Sequence, residues 1–431
     1  MINFVDFFNC KRGSVSIFIV IAFASFILVA SIFFAAAKSA SSRSYADAAF
    51  QLAGRSVLSE YDRKLLEDYG IMAFRGDEKI IEDDIKYYAG ASLNSDNLIY
   101  SLFRKGSKDH IDSVDSKTGD ITANLKEYSL LDVDNFEDQI TSGFVSKWLE
   151  NRIDNGKRIQ NDPSEKDEKG RNLKDGNILS ALPSDGYPVP LLPSFEREED
   201  MPLWEDVIQS GTTNGITTEY ILSVFSNNLY SLDTETRFFK NEVEYIIEGE
   251  EKDDENYDDV MFKIAAIRAA VNGAFLYFDA KKKAEIEAAA VVGGILTAGY
   301  GYEASKVIIT GLWLAAETRN DLQLLEAGKK IPLFKTEAGW ALDNVKDIAD
   351  GLLTDEPVVA LSGGLGLGYE DHLRIFLYMT DREVKLLRIM DLIQINMKGN
   401  YYKEFSIREH YVGFRVECEY DKDKFSYIQK Y

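Results

Sequence analysis

No charged residue lies between Arg12 and Lys38. The run from Ser14 to Ala37 has 24 residues. As a helix rising ~1.5 Å per residue it reaches ~36 Å, more than the ~30 Å of a bilayer's hydrocarbon layer. The apolar region of a secretory signal is usually only ~7–15 residues long. Length therefore favours a retained transmembrane helix over a removable leader, even with the small cluster Ala35-Ala36-Ala37 at its end. Lys11 and Arg12 precede the run, and Lys38 and Arg43 follow it, so the positive-inside count is almost even. The short N-terminal tail favours a cytoplasmic N-terminus with the remainder outside the cell membrane.

Charge narrows the partners. The chain has a formal net charge of −23 and a pI near 4.7. Phosphate backbones are bound by clustered Lys and Arg, so no nucleic-acid partner is expected. The acidity suits a large, well-solvated outer domain. Hydrophobic residues make up 45% and aromatic residues 12%, richer than a disordered chain, so a substantial core is expected. Cys10 and Cys418 fall on opposite sides of the apolar run and cannot pair across a membrane within one chain. His110, His372 and His410 lack the spacing of metal ligands. No metal site and no cofactor is expected.

Beyond the span, Ala46, Ala49, Phe50, Ala53, Val57, Tyr61 and Leu65 recur at three- and four-residue steps. This pattern predicts that the membrane helix continues as an amphipathic stalk helix over 38–75. That face could pack on the chain's own domain or on partner subunits. The small-residue surface Ala35, Ala36, Ala37, Ser39 and Ala40 suits close approach of another helix.

Lys11-Arg12-Gly13, the long apolar helix and the Ala-rich segment after it resemble the N-terminus of TadE/TadG-like proteins, membrane-anchored pseudopilin-like components of tight-adherence (Tad/Flp) pilus systems. Gly54–Phe74, GRSVLSEYDRKLLEDYGIMAF, resembles a Gram-positive branch whose anchor carries a large ectodomain of unknown function. Asn241–Asn256, Ile264–Asp279 and Gly368–Met397 continue the resemblance. It implies an N-in, C-out topology, partnership with other pilin-like membrane proteins and a role in pilus assembly or surface attachment. It also implies a prepilin-type cleavage bond at Gly13–Ser14. The fifth position after that bond is Phe18, where pilins usually carry Glu. A carboxylate there can neutralise a neighbouring subunit's N-terminal amine inside an apolar bundle. Its absence argues against a polymerising major pilin and for an anchored accessory protein, and it leaves cleavage open.

The remaining sequence predicts an α+β ectodomain, mainly helical with a small antiparallel sheet. We divide it into a cytoplasmic tail (1–13), the span (14–37), the stalk (38–75), a first region (76–159), a linker (160–202) and a C-terminal α+β region (203–431). Ile80–Leu93 and Phe144–Ile153 read as helical. The linker is charged and then proline-rich, with Pro163, Pro183, Pro188, Pro190, Pro193 and Pro202. Asn241–Gly249 alternates Val243, Tyr245 and Ile247 and reads as a strand. The acidic run 248–259 lacks the glycine of an EF-hand loop and reads as a solvated loop ahead of a helix. Ala288–Gly299 and Val307–Ala316 are apolar all round but too short to span, and read as buried core helices. Gly364, Gly366 and Gly368 fit neither dinucleotide nor P-loop spacing and read as a connector. Val412, Phe414, Val416, Cys418 and Tyr420 alternate with polar residues as a half-buried strand does, with Phe425–Tyr431 as its hairpin partner.

Three function classes follow. The leading one is a structural or accessory component of a Tad/Flp-type appendage, anchored in the lipid bilayer. The second is an anchored extracellular binding module, an adhesin or receptor. The third and weakest is an anchored enzyme, because no nucleophile elbow, zinc motif or marked carboxylate pair is present.

Overall fold

The computed structural model describes residues 11–94, 118–153, 159–161, 172–173, 182–185, 204–231, 237–296, 301–354, 357–358, 366–421 and 423–431. Cys10, His110, most of the charged and proline-rich linker, and Ser362–Leu365 lie outside them. In chain order the helices are α1 (Lys11–Leu58), α2 (Arg63–Tyr69), α3 (Glu78–Asn94), α4 (Val133–Ile153), α5 (Trp204–Val224), α6 (Glu242–Glu248), α7 (Asp253–Phe278), α8 (Ala280–Leu296), α9 (Tyr302–Glu326), α10 (Ile348–Leu353), α11 (Tyr369–Met379) and α12 (Arg382–Asn400). One antiparallel sheet has three strands, β1 (Thr118–Asn124), β2 (Gly413–Tyr420) and β3 (Asp423–Lys430), in the order β1-β2-β3. The α+β class with a mainly helical outer part is what the sequence predicts.

The chain forms two compact units. Unit 1 contains residues 1–61, 73–129 and 411–431, and unit 2 contains 62–72 and 130–410. The C-terminal strands therefore belong with the N-terminal helix, although in sequence they follow the whole of unit 2.

In unit 1 the second half of α1 and α3 pack on the sheet. Ala46, Ala49, Phe50, Ala53 and Val57 of α1 share a core with Ile81 and Ile85 of α3 and Phe414, Val416, Cys418 and Tyr420 of β2. The alternation in β2 holds as expected, with one face buried. β2 and β3 pair from Gly413↔Lys430 to Tyr420↔Asp423, with Asp421 at φ 49° in the connecting turn. Phe50 lies 6.1 Å from Phe425, centroid to centroid, and Tyr427 donates to Asp47 at 2.5 Å. The amphipathic face of α1 is thus occupied by the chain's own domain.

The stalk is shorter than its periodicity predicts. α1 ends at Leu58, and Asp62 starts a new helix by accepting from the N–H groups of Lys64 and Leu65. Gly70, at φ 70°, closes that helix, so Tyr61 and Leu65 are not on α1.

Unit 2 is a helical assembly around α12 and α6. α12 buries residues on every side, including Lys385, Asp391, Gln394 and Asn396. Each polar group there has a partner, as burial requires. Asn396 accepts from the N–H of Phe238 at 2.9 Å and donates to Glu242 at 2.6 Å, and Gln394 accepts from the N–H of Ile407 at 3.1 Å. The segment expected as a strand, Asn241–Gly249, is helix α6. Its apolar alternation misled because Glu242 and Glu244 are buried as well, so the pattern carried no solvent face. Helix α7 begins inside the acidic run, at Asp253, which accepts from the N–H groups of Lys240 and Asn241 at 3.0 and 2.9 Å. The run is therefore half loop and half first helical turns, and Asp253 is buried rather than solvated.

Candidate functional site

α1 is one continuous helix with two kinds of surface. From Ile17 to Phe34 its large apolar side chains are bare, with Phe18 72%, Phe26 69% and Phe33 73% exposed. Its apolar window has a mean hydropathy of 2.9 and is 0% buried. By length and composition it is a candidate membrane anchor, and a signal sequence would share those properties. Gly13 and Ser14 lie within its first turns. Ala35, Ala36, Ala37, Ser39 and Ala40 are all exposed, about two to three turns ahead of the point where Ala46 enters the core. Ser25 and Ser31 each donate to the carbonyl four residues back, at 2.8 and 2.7 Å, which satisfies their hydroxyls without an outside partner.

Unit 2 holds a buried ionic centre between α7, α9 and the segment 331–342. Arg268 and Asp321 are both 0% exposed and pair at 3.0 Å. Arg268 also donates to the carbonyls of Pro332 and Leu333, at 2.9 and 3.3 Å. Asn272 donates to Asp321 at 2.9 Å. Lys335 pairs with Asp321 at 2.6 Å and with Glu317. Glu317 accepts in turn from the N–H groups of Ala341 and Leu342 at 3.0 and 3.1 Å. Two cations and two carboxylates balance, and the further hydrogen bonds of Arg268 and Glu317 go to the backbone while that of Asp321 comes from Asn272. The centre clamps 331–342 onto the α7–α9 pair, beside a core of Leu276, Trp313, Trp340 and Leu342. Trp340 stacks on Phe275 at 4.9 Å, and Lys282 lies 4.5 Å from the Trp313 ring.

Sequence reading missed these residues because Arg268 and Asp321 are 53 positions apart. A signal was present: Arg268 and Asn272, and Glu317 and Asp321, are i,i+4 polar pairs on otherwise apolar helices. Polar residues on an apolar stripe point inward toward each other.

A second group of buried carboxyls lies around α6 and α12. Burial pushes Glu244 up to about 7, against the hydrogen bonds it accepts from Tyr369 at 2.6 Å and the N–H of Asn228 at 2.9 Å. Burial likewise raises Asp253 and Asp391 to about 6 each. His372 moves the other way: burial lowers it, and its Nδ1 donates to the carbonyl of Gly368 at 2.7 Å. A carboxyl raised on folding binds more protons folded than unfolded, so its share of stability is greatest in acid and is lost as pH rises toward 7. The lowered His372 has the opposite sign and costs stability as pH falls below ~6.5. Three carboxyls outweigh one imidazole. Unit 2 should therefore resist urea better at pH 5.5 than at pH 7.5, by ~2 kcal/mol, and Glu244→Gln should flatten the slope. Tryptophan fluorescence reports on this unit alone, since Trp148, Trp204, Trp313 and Trp340 all lie within it. A midpoint that falls on acidification would refute the assignment.

The apolar segments on α8 and α9 are buried on one side only. Ala290, Trp313 and Ala316 are buried, whereas Val291, Val292, Ile295, Val307, Ile308 and Leu312 are 45–74% exposed. The expectation of wholly buried core helices is corrected here: each helix packs one stripe on its neighbour and leaves the other apolar. The glycine-rich connector ends in a short strand pair, Gly366–Leu367 with Ile331–Pro332, and Asp371 accepts from the N–H of Gly368 at 2.8 Å to start α11.

Among the described residues, no three His, Cys, Asp or Glu side chains come together as a metal-holding group. His410 donates from Nδ1 to the carbonyl of Ser406 at 2.7 Å and packs, tilted, against the Phe405 ring, and Cys418 is buried in the core of unit 1. Burial lifts the Cys418 thiol to about 12 and leaves it protonated.

Residues 173–422, more than half of the chain, match the model of a family of unknown function, DUF5702. No curated protein and no solved structure matches the chain.

Proposed function

The chain belongs to the DUF5702 family of unknown function, and from that premise we propose that this member is a single-pass, membrane-anchored structural or accessory component of a Tad/Flp-type pilus or surface-attachment system. Its N-terminus faces the cytoplasm and both folded units lie outside. The carrying observation is that α1 is one helix, bare and apolar over Ile17–Phe34 and packed on its own sheet from Ala46 onward. Such a helix transmits position rigidly from the bilayer to the folded unit. The resemblance of Lys11–Phe74 to TadE/TadG-like proteins supplies the system and the partners, which are other pilin-like membrane proteins. No catalytic role is assigned.

The small surface Ala35, Ala36, Ala37, Ser39 and Ala40 is where those partners approach. Ala36→Leu should leave the protein in the membrane with unit 2 folded, while co-isolation with pilin-like partners falls at least ~10-fold, as a lost ~1.4 kcal/mol contact would give. Unchanged co-isolation would count against the packing reading. Intact mass of the membrane-isolated protein gives the state of the Gly13–Ser14 bond: a chain starting at Ser14 marks an assembly helix, and one starting at Met1 an uncleaved anchor.

A further inference from the structure

The buried centre of unit 2 brings an amine, a carboxyl and a second carboxyl into contact. Lys335 Nζ donates to Glu317 Oε1 and lies 2.6 Å from Asp321 Oδ1. The Lys335 side chain is 2% exposed, and those of Glu317 and Asp321 are 0% exposed. The Trp340 ring lies 5.6 Å from Nζ. Asp321 Oδ2 is taken by Arg268 and Asn272, whereas Oδ1 accepts no hydrogen bond of its own. Glu317 Oε1 and Oε2 face the N–H groups of Ala341 and Leu342 at 3.0 and 3.1 Å.

An ammonium and a carboxylate in water stay apart as ions because hydration stabilises both. Burial removes that hydration and makes the separated charges costly. Contact within a fold also replaces a bimolecular encounter, with effective concentrations that reach ~10⁵–10⁸ M. Backbone N–H groups aimed at the carboxyl oxygens are what a tetrahedral oxyanion requires. The exposed pair Lys64–Glu67, with side chains 42% and 57% exposed, keeps its water and has no such incentive.

We propose that Lys335 and Glu317 condense within the folded chain into an isopeptide bond, with Asp321 as the proton carrier. Asp321 Oδ1 takes one proton from the Lys335 ammonium. The amine so formed attacks Cδ of Glu317, a C–N bond forms, and the charge on Oε2 faces the N–H of Leu342. A second proton passes from the nitrogen to Oε1. Asp321 returns the first, the Cδ–Oε1 bond breaks, and Oε1 leaves as water. The nitrogen keeps its third hydrogen, Asp321 ends as it began, and no outside reagent takes part. Glu317 is the acyl partner because its conversion leaves Arg268 and Asp321 paired at 3.0 Å. Joining Asp321 instead would strand a buried Glu317 carboxylate on backbone N–H groups alone, far costlier than a pair. The bond would fasten the segment 331–342 covalently to α9. The inference stands on unit 2 alone and does not depend on the membrane reading.

The test is a tryptic digest, in urea, of the full-length chain isolated from membranes, read by tandem mass spectrometry. An ion pair does not survive urea, and an amide does. Trypsin cuts after Arg319, so Glu317 and Asp321 fall on different peptides, Val307–Arg319 and Asn320–Lys329. Most chains should yield Val307–Arg319 joined to Ile331–Lys346, uncut at Lys335 and one water lighter than the two peptides together. Lys335→Arg should abolish the branch. Asp321→Asn should lower the branched fraction at least ~10-fold at equal age, as loss of a proton-transfer group worth ~10²–10⁴ in rate would give. Circular dichroism verifies that these variants fold, and the native digest decides the matter even where one does not. Recovery of Val307–Arg319 and Ile331–Lys335 as separate peptides from the native chain overturns the proposal. So does a branch to Asn320–Lys329, a lost water without a branch, or a folded Asp321→Asn chain that links as fully as the native one.

Discussion

Asp321→Ala should unfold unit 2 under conditions where the native chain remains folded. Asp321 holds three groups, Arg268, Lys335 and Asn272, and is 0% exposed. Removing it leaves one carboxylate, Glu317, facing two buried cations. Taking one partner from a buried ion pair costs ~3–5 kcal/mol, because the charge left behind has no water to turn to. A domain's whole stability is only ~5–15 kcal/mol. The urea midpoint read from tryptophan fluorescence should therefore drop steeply. A loss below ~1 kcal/mol would mean that water reaches the centre and solvates Arg268 and Lys335. Replacing all four charged residues with apolar ones of similar volume is a different experiment, and should cost far less than the single change.

Ile21→Arg with Leu28→Arg should release the protein from the membrane fraction. Fourteen Val, Ile, Leu and Phe residues lie between Val15 and Phe34. Each favours insertion by roughly 0.3–0.6 kcal/mol near the helix centre, and each arginine opposes it by roughly 2.5–3.5 kcal/mol. The twelve that remain supply roughly 4–7 kcal/mol, and the two arginines cancel it with roughly 5–7 kcal/mol. Carbonate extraction measures the outcome. Retention of the double variant, or shedding of a shortened native chain, would refute a retained anchor.

What the sequence disclosed and what it hid follow from the range of the interactions. The span, the helices around Ile80 and Phe144, and the β2–β3 hairpin are set by local periodicity, and periodicity is visible in one chain. Asn241–Gly249 was misread because burial on every side erases the contrast between faces. The break after Leu58 is set by a capping interaction at Asp62, with no proline to mark it. The ionic centre and the grouping of β2 with α1 depend on partners far apart in sequence. Thr122 pairs with Glu417 across β1 and β2, and nothing local to either residue announces the other.

That last pairing has a consequence for how the protein is made. About 290 residues separate Asn124 from Gly413. At a synthesis rate of roughly 5–20 residues per second, β2 follows β1 from the ribosome by roughly 15–60 s. During that interval the face of α1 carrying Ala46, Phe50 and Ala53 has no sheet to rest on. The sheet-facing side of α1 is thus among the last surfaces of unit 1 to be covered. Until then Phe74 and the α3 residues Ile81, Ile85 and Ala89 are available to pack against that face.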